Sequence, residues 1–220
     1  MNMKNEDIIQ SINGNIHDYE IFSDRIVSYI TRDPVLKVNV HSHKKRTKDL
    51  EHLDEKITRK NHKSKEIGGL EITKDNVMDI ITDIVGIRIL HLHQGQFDAI
   101  HKRLMKYVED GELALYENPK AYTWDPEYAA LFRKEGINTE QKESFYTSVH
   151  YVFKANSTSK ITCEVQVRTL FEEVWGEIDH AVNYPKESES IFIKEQLKVL
   201  ARIVGAGTRM SHSIFKINEN

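Results

Sequence analysis

Residues 144–168 hold two runs that read with period two, SFYTSVHYVFK (144–154) and, in strict apolar–polar alternation, ITCEVQVR (161–168), separated by the polar stretch NSTS (156–159). Alternation with period two sends successive side chains to opposite faces, so each run reads as a half-buried strand and the pair as a hairpin. In the second run Ile161, Cys163, Val165 and Val167 form one face and Thr162, Glu164, Gln166 and Arg168 the other. In the first, Thr147, Val149, Tyr151 and Phe153 oppose Tyr146, Ser148 and His150. If the more apolar faces share a core, one sheet face gathers an acid, an amide and a guanidinium beside a phenol, a hydroxyl and an imidazole. A chain built this way needs a sheet with one buried face and one polar, chemically equipped face.

The flanking segments fit that frame. Residues 5–31 read as one or two amphipathic helices carrying Ile8, Ile9, Ile12, Ile16, Ile21, Ile26, Val27 and Ile30, broken at Asp33-Pro34. A highly charged helix is expected from about 48 to 63, ended by Gly68-Gly69, and a short helix capped by Asp75 precedes the strand GIRILHLH (86–93). Helix 95–109 and strand GELALYE (111–117) follow, then a long connection, 118–143, in which Trp124, Tyr128, Leu131 and Phe132 suggest a helix. After the hairpin, Leu170, Phe171, Val174, Trp175 and Ile178 make a helical stripe, and 190–215 forms a last helix or helix pair. The order predicts an α+β fold, a mixed sheet of four to five strands flanked by helices.

Composition narrows the function classes. The 220 residues, 39% hydrophobic, support one substantial core. A single cysteine excludes an internal disulfide and a Cys-rich zinc site. The histidine pairs His41/His43 and His91/His93 lack third and fourth ligands at a recognised spacing. A net charge of −3 argues against broad non-specific nucleic-acid binding. No apolar run approaches the ~18 residues of a membrane span. The polar start MNMKNEDIIQ is unlike a signal peptide, so a cytoplasmic location is expected.

Two patterns on the remaining residues carry chemistry. DIVGIR places Asp83 at the mouth of a strand, ahead of Gly86 and Arg88, and Gly86 permits a tight turn or close approach of a ligand. An aspartate there, with Glu164 on a neighbouring strand, is a layout suited to magnesium, which takes one or two carboxylates plus substrate phosphates. Upstream, Lys48, His52, Lys56 and Lys60 are four apart and make one helical ridge, with Arg46 just before it. Such a ridge is either a solvated face paired with acids such as Glu51 and Glu55, or a phosphate clamp. Taken with the two carboxylates and Tyr146, it suggests a magnesium–nucleotide site with a base-stacking platform.

DIVGIR (83–88), YTSVH (146–150), CEVQVRT (163–169) and FEEVWGEIDH (171–180) together resemble the RelA/SpoT-type alarmone synthetases, which transfer pyrophosphate from ATP to the ribose 3′-hydroxyl of GDP or GTP. The family's phosphate motif, Arg-x-Lys-x-x-x-Ser-x-x-x-Lys, is matched by Arg46, Lys48, His52 and Lys56. The resemblance spans roughly residues 40–185 and implies a nucleotidyltransferase-like synthetase fold. It implies one domain over 1–220, with N-terminal helices at 5–31 and C-terminal helices at 190–215, the size of a stand-alone small alarmone synthetase. It also implies roles. Arg46, Lys48, His52, Lys56 and Arg88 would bind ATP. Asp83 and Glu164 would hold Mg2+, with Glu164 also accepting the proton of the attacking hydroxyl. Tyr146, Ser148, His150, Gln166, Glu173 and Lys142 would face the acceptor, and Arg168 would serve phosphate or scaffold. The oligomeric habit of small synthetases implies a homo-oligomer through the C-terminal helices, where Ile191, Phe192, Leu197, Leu200, Ile203 and Val204 are apolar.

Departures from the family pattern cluster on the acceptor side. Phe145 stands where the family has glycine, Thr147 where it often has Arg or Gln, His52 for a serine, and Glu173 for a guanine-contacting Asn or a His. Two further readings therefore stand beside (p)ppGpp synthesis. One is a toxin-like pyrophosphokinase acting on adenine nucleotides or the tRNA 3′ end. The other is a non-catalytic nucleotide- or RNA-binding module, which would require loss of Asp83 or Glu164, and both are present. Asp179-His180 resembles a hydrolase His-Asp pair, but no long helical hydrolase domain precedes it in these 220 residues, so hydrolysis is not expected.

Overall fold

The hairpin is present in the computed structural model as β5 (Ser148–Lys154) and β6 (Thr162–Thr169), paired antiparallel with Tyr151 opposite Val165. The structure describes residues 5–183 and 187–218. The other elements are α1 (Glu6–Asn13), α2 (Ile16–Arg32), α3 (Pro34–Asn39), β1 (Ser42–Thr47), α4 (Leu50–Glu66), α5 (Val77–Ile80), β2 (Val85–His91), α6 (Gln96–Glu109), β3 (Ala114–Tyr122), α7 (Pro126–Lys134), β4 (Asn138–Glu140), α8 (Leu170–Asn183) and α9 (Ile191–Asn218). One mixed sheet runs in the order β1-β2-β6-β5-β3-β4, with β2/β6 and β3/β4 parallel and the other pairs antiparallel.

One face of this sheet is the core. Val85, Ile87 and Ile89 of β2, Cys163, Val165 and Val167 of β6, and Val149, Tyr151 and Phe153 of β5 are all buried in it. They share that core with Phe22, Ile26 and Ile30 of α2 and Phe97, Ile100 and Leu104 of α6. The Tyr151 hydroxyl is 2.8 Å from His101 Nδ1 of α6, so this polar atom buried in the core has a partner. Asp33 joins three elements: it caps α3 by accepting from the amides of Val35 and Leu36, and takes hydrogen bonds from Arg103 Nε and the Tyr107 hydroxyl of α6.

The sheet has six strands among the described residues, where alternation predicts four to five. β1 (SHKKRT) carries no apolar residue, and β4 is three residues long, so neither shows a period-two signal. β3 extends to Tyr122 rather than ending at 117, and it runs through Pro119 with register shifts between 115 and 120 that absorb the missing amide. β5 begins at Ser148, so Tyr146 lies just before the strand. The C-terminal segment is one helix, α9, and α5 is capped at Asn76 rather than Asp75.

The facing of α8 is set by polar contacts. Its apolar stripe points outward: Val174 is 56% exposed and Phe171, Ile178 and Val182 each 39%. Trp175 turns inward with Glu172 and Glu173. Polar bonds drive this choice. Glu172 accepts from the amide (2.7 Å) and hydroxyl (2.8 Å) of Thr169, and Glu173 faces cations of the sheet. Trp175 donates its indole N–H to the Leu197 carbonyl of α9 at 2.8 Å and centres a second small cluster with Ala201 and Val204, against which Trp124, Phe145 and Tyr146 pack.

Helix α4, the charged helix, holds to the body through Leu53 and Ile57, its buried residues. Ile57→Ala is expected to cost about 2–4 kcal/mol, the usual loss for truncating a buried isoleucine, read as a lowered midpoint in urea unfolding. A change under about 0.5 kcal/mol would show that α4 is held by its charges instead.

Candidate active site

The parallel pairing of β2 with β6 sets Gly86 beside Glu164 and Arg88 beside Gln166. On one side β1 places Arg46 opposite Gly86 and Lys44 opposite Arg88. On the other, β5 places His150 opposite Gln166. Directly paired residues share a face, and so do residues two apart on a strand. Lys44, Arg46, Gly86, Arg88, Glu164, Gln166 and His150 therefore line the face away from the core. Gly86 is mid-strand and makes no tight turn; without a side chain it forms the floor of a 200 Å³ pocket walled by Lys44, Arg46, Arg88, Glu164 and Gln166.

That pocket adjoins a cavity of about 630 Å³, a size suited to a nucleotide-scale ligand. One wall carries four cations, Arg46, Lys48, Lys56 and Arg59, with His52, Asp49 and Glu55 among them. The floor holds Arg88, Gln166 and Arg168, and the far wall is Tyr146 with Ser144 and the polar side of α8, Gly176, Asp179, His180 and Asn183. Gly176 is needed here because Arg168 lies across it: a Cβ would meet Arg168 Nη1 at 2.6 Å.

Asp83, just before β2, takes Lys48 at 2.7 Å on one carboxylate oxygen and Lys56 at 2.6 Å on the other. Burial opposes its ionisation, but the charges and hydrogen bonds of Lys56 and Lys48 outweigh that and hold its carboxyl at about 2. The same burial lowers the Lys48 ammonium, and Lys60 is lowered by burial and by Lys56. Glu164 is 3.0 Å from His150 Nδ1 and accepts the Gln166 amide at 2.8 Å. Burial pushes its carboxyl up, yet the His150 contact prevails and the net direction is down. The other nitrogen of His150 lies 3.1 Å from the Tyr146 hydroxyl. A neutral ring satisfies both contacts with one tautomer: Nδ1–H donates to Glu164, and Nε2 accepts from Tyr146. Burial raises the Tyr146 phenol, consistent with a donor that keeps its proton. The ring of Tyr146 sits among His150, Trp175 and, 5.7 Å from its centroid, the Arg168 guanidinium.

Of the residues expected from sequence, Arg46, Lys48, His52, Lys56, Arg88, Tyr146 and Gln166 line the large cavity. Glu164 lines the adjoining pocket, Asp83 joins through its two lysines, and His150 through Tyr146 and Glu164. Three do not line the cavity themselves. Ser148 is buried, with its hydroxyl 3.4 Å from the Val167 carbonyl. Lys142 pairs with Glu140 and lies over the Tyr122 ring at 4.3 Å. Glu173 is buried among Lys44 (2.8 Å), Arg88 (3.1 Å) and Arg168, whose charges hold its carboxyl at about 2 against the cost of burial. Sequence reasoning did not place Ser144, Gly176, Asp179, His180 or Asn183 in the site. For the four on α8 the signal was a helical spacing, 176-179/180-183, masked by the apolar stripe opposite it; Ser144, before β5, had none.

A family model described as "Region found in RelA / SpoT proteins" matches residues 45–189. Among solved structures, a GTP pyrophosphokinase family protein from Streptococcus pneumoniae is similar over 100% of this chain and 97% of its own, at 20% identity and TM-score 0.68. Small alarmone synthetase 1 from Bacillus subtilis is similar over 100% of both chains, at 18% identity and TM-score 0.65. That synthetase bound to its product pppGpp is similar over 91% of this chain and 90% of its own, at 17% identity and TM-score 0.60. These likenesses establish the fold. A search of curated proteins by sequence gives no match.

The Asp83 carboxyl lies at about 2 against an ordinary 3.8. A depressed carboxyl stabilises the fold above its unfolded pKa, and that stability drains away as pH falls from about 4 toward 2. The wild type is expected to lose about 2 kcal/mol more than Asp83→Asn across that window in urea unfolding. Parallel losses in the two proteins would remove the ion pairs from the account.

Proposed function

The chain belongs to the RelA/SpoT family, and we propose that it is a pyrophosphokinase that moves pyrophosphate from ATP to the ribose 3′-hydroxyl of GDP or GTP. The observation that carries this reading is one cavity with a cationic wall on one side, an aromatic platform on the other and Glu164 beside the floor between them. Arg46, Lys48, Lys56 and Arg88 suit a triphosphate, whose charge they would neutralise and whose β-phosphorus they would hold still. Tyr146, partly covered by Trp175 and steadied by Arg168, suits the face of an acceptor base.

Glu164 is ionised at neutral pH and so able to take the proton from the attacking hydroxyl. His150 holds that carboxylate in place and links it to the tyrosine that carries the acceptor, so the base and the acceptor platform share one hydrogen-bonded chain. Transfer needs no covalent intermediate: the 3′-oxygen forms a bond to the β-phosphorus, AMP departs, and the proton passes to Glu164.

Magnesium fits the donor chemistry. Asp83 and Glu164 are both ionised carboxylates, and the Asp83 charge is felt at Glu164. Magnesium is held by one or two carboxylates together with substrate phosphate oxygens, a number these two residues can supply. When bound, the ion would supply charge neutralisation on the phosphates. Lys48 and Lys56 occupy both Asp83 oxygens, so a triphosphate that draws the lysines to itself also frees the carboxylate.

With ATP, magnesium and labelled GDP or GTP, the wild type is expected to form labelled tetra- or pentaphosphate, and Glu164→Gln to lose roughly 10²–10⁴ of the rate. AMP, ADP and tRNA run as competing acceptors decide the acceptor class. AMP release with none of these labelled, or an unaffected Glu164→Gln, would sink the proposal.

The outward apolar residues of α8 extend into a shallow groove lined by Ile178, Val182, Phe192, Ile193, Leu197 and Leu200. We assign this groove to a second copy of the chain, because Phe192 at 72% exposure is costly to leave in water. Size exclusion with light scattering is expected to give a multiple of 25.6 kDa, reduced by Phe192→Glu. A wild-type mass of one chain would remove the assignment.

A further inference from the structure

Phe145 is the one described non-glycine residue with a left-handed backbone, at φ 68°. A phenylalanine held there is strained, and such strain persists only where the surroundings over-determine it. The surroundings are specific. The Phe145 ring stacks on Trp124, with centroids 4.9 Å apart and planes 11° apart. On α9, the Arg202 guanidinium lies 5.1 Å and the Lys198 ammonium 6.0 Å from its centroid. Its amide donates to the Lys142 carbonyl at 3.1 Å, closing the turn that leads into β5. The next residue is Tyr146, and after it the Thr147 hydroxyl lies 3.2 Å from that of Thr123, beside Trp124.

We propose that Phe145 is a positioning residue for the acceptor nucleotide: anchored between Trp124 and α9, its ring holds the left-handed turn that aims Tyr146 into the cavity. The inference rests on the reading of Tyr146 as the acceptor platform. The physical argument is about direction. Tyr146 lies outside β5, so no ladder bond of the strand fixes its backbone. What fixes it is the turn before it, and what fixes that turn is a ring clamped from two other elements. The clamp belongs to the second small cluster, with Trp175, Ala201 and Leu200, and not to the main core. Loosening it should alter the acceptor platform while leaving the donor wall, built on β1 and α4, untouched.

Two readouts test this on the full chain. One is KM and kcat for ATP and for GDP; the other is quenching of tryptophan fluorescence on titration with GDP alone, which reports binding whether or not chemistry follows. Phe145→Gly permits the turn but supplies no ring, and it is expected to raise the KM and Kd for GDP about 3- to 10-fold, with the ATP KM within twofold. Phe145→Tyr, which restores the ring, is expected to behave as wild type. Arg202 is exposed, so Arg202→Met folds irrespective of the clamp; it is expected to weaken GDP about 2- to 4-fold. Unchanged GDP binding in Phe145→Gly, an equal loss for ATP and GDP, or failure of Phe145→Tyr to rescue would each overturn the proposal. A wild type that binds GDP but transfers nothing removes the transfer reading, and the titrations then decide Phe145 by themselves. A wild type that binds no GDP overturns both.

Discussion

The parallel pairing of β2 with β6 is the contact on which the site depends. It joins two segments far apart in the chain and puts Gly86 against Glu164 and Arg88 against Gln166 in one register. A shift of one residue would turn Glu164 and Arg88 into the core and Val165 and Ile87 out of it. Burial of Ile87, Ile89, Val165 and Val167 forbids that shift, so the hydrophobic face of the sheet keeps the chemical face aligned. Core and site are two sides of the same three backbones, β2, β6 and β5, with β1 adding only to the site.

Charge is arranged on that face as interlocked pairs. Asp83 is held by two lysines, Glu164 by an imidazole and an amide, and Glu173 by Lys44, Arg88 and Arg168. Each carboxylate is ionised despite its burial because cations or donors outweigh the desolvation cost. Glu173 organises the others: by taking Arg88 and Arg168 it orients two guanidiniums that border the cavity. Its oxygens are taken by Lys44, Arg88 and Arg168.

How much of this was legible in the sequence follows from where the signal lay. Period two located β5 and β6 and sorted their faces, and helical spacing put His52 and Lys56 along one wall; Lys48 reaches the same wall from the segment before α4, and Lys60 of the four-apart ridge turns to the Ile80 carbonyl instead. β1 was invisible because an edge strand made of Ser, His, Lys, Lys, Arg and Thr has no apolar alternation to read. β3 was cut short at Pro119, whose tolerance depends on register shifts that only the paired strand reveals. On α8 the stripe of Phe171, Val174 and Ile178 did not reveal which side faces the sheet, because Thr169, Arg88 and Arg168 draw the acidic side inward. Ser148 is buried and Lys142 pairs with Glu140, so neither position along the chain told how far its side chain stands from the cavity.

The exposed strand β1 has a consequence beyond nucleotides. It ends the sheet on one side, and an open strand edge is a template onto which other chains can add. At the other end the sheet closes with β4, three residues long and too short to recruit a partner strand. At the β1 end the strand is long enough, but Lys44, Lys45 and Arg46 stand along it, and any second copy of that edge would bring its own three cations against them. The cluster that would hold phosphate thus also keeps the sheet from growing into a fibril, and charge-removing substitutions there are a solubility risk as well as an activity risk.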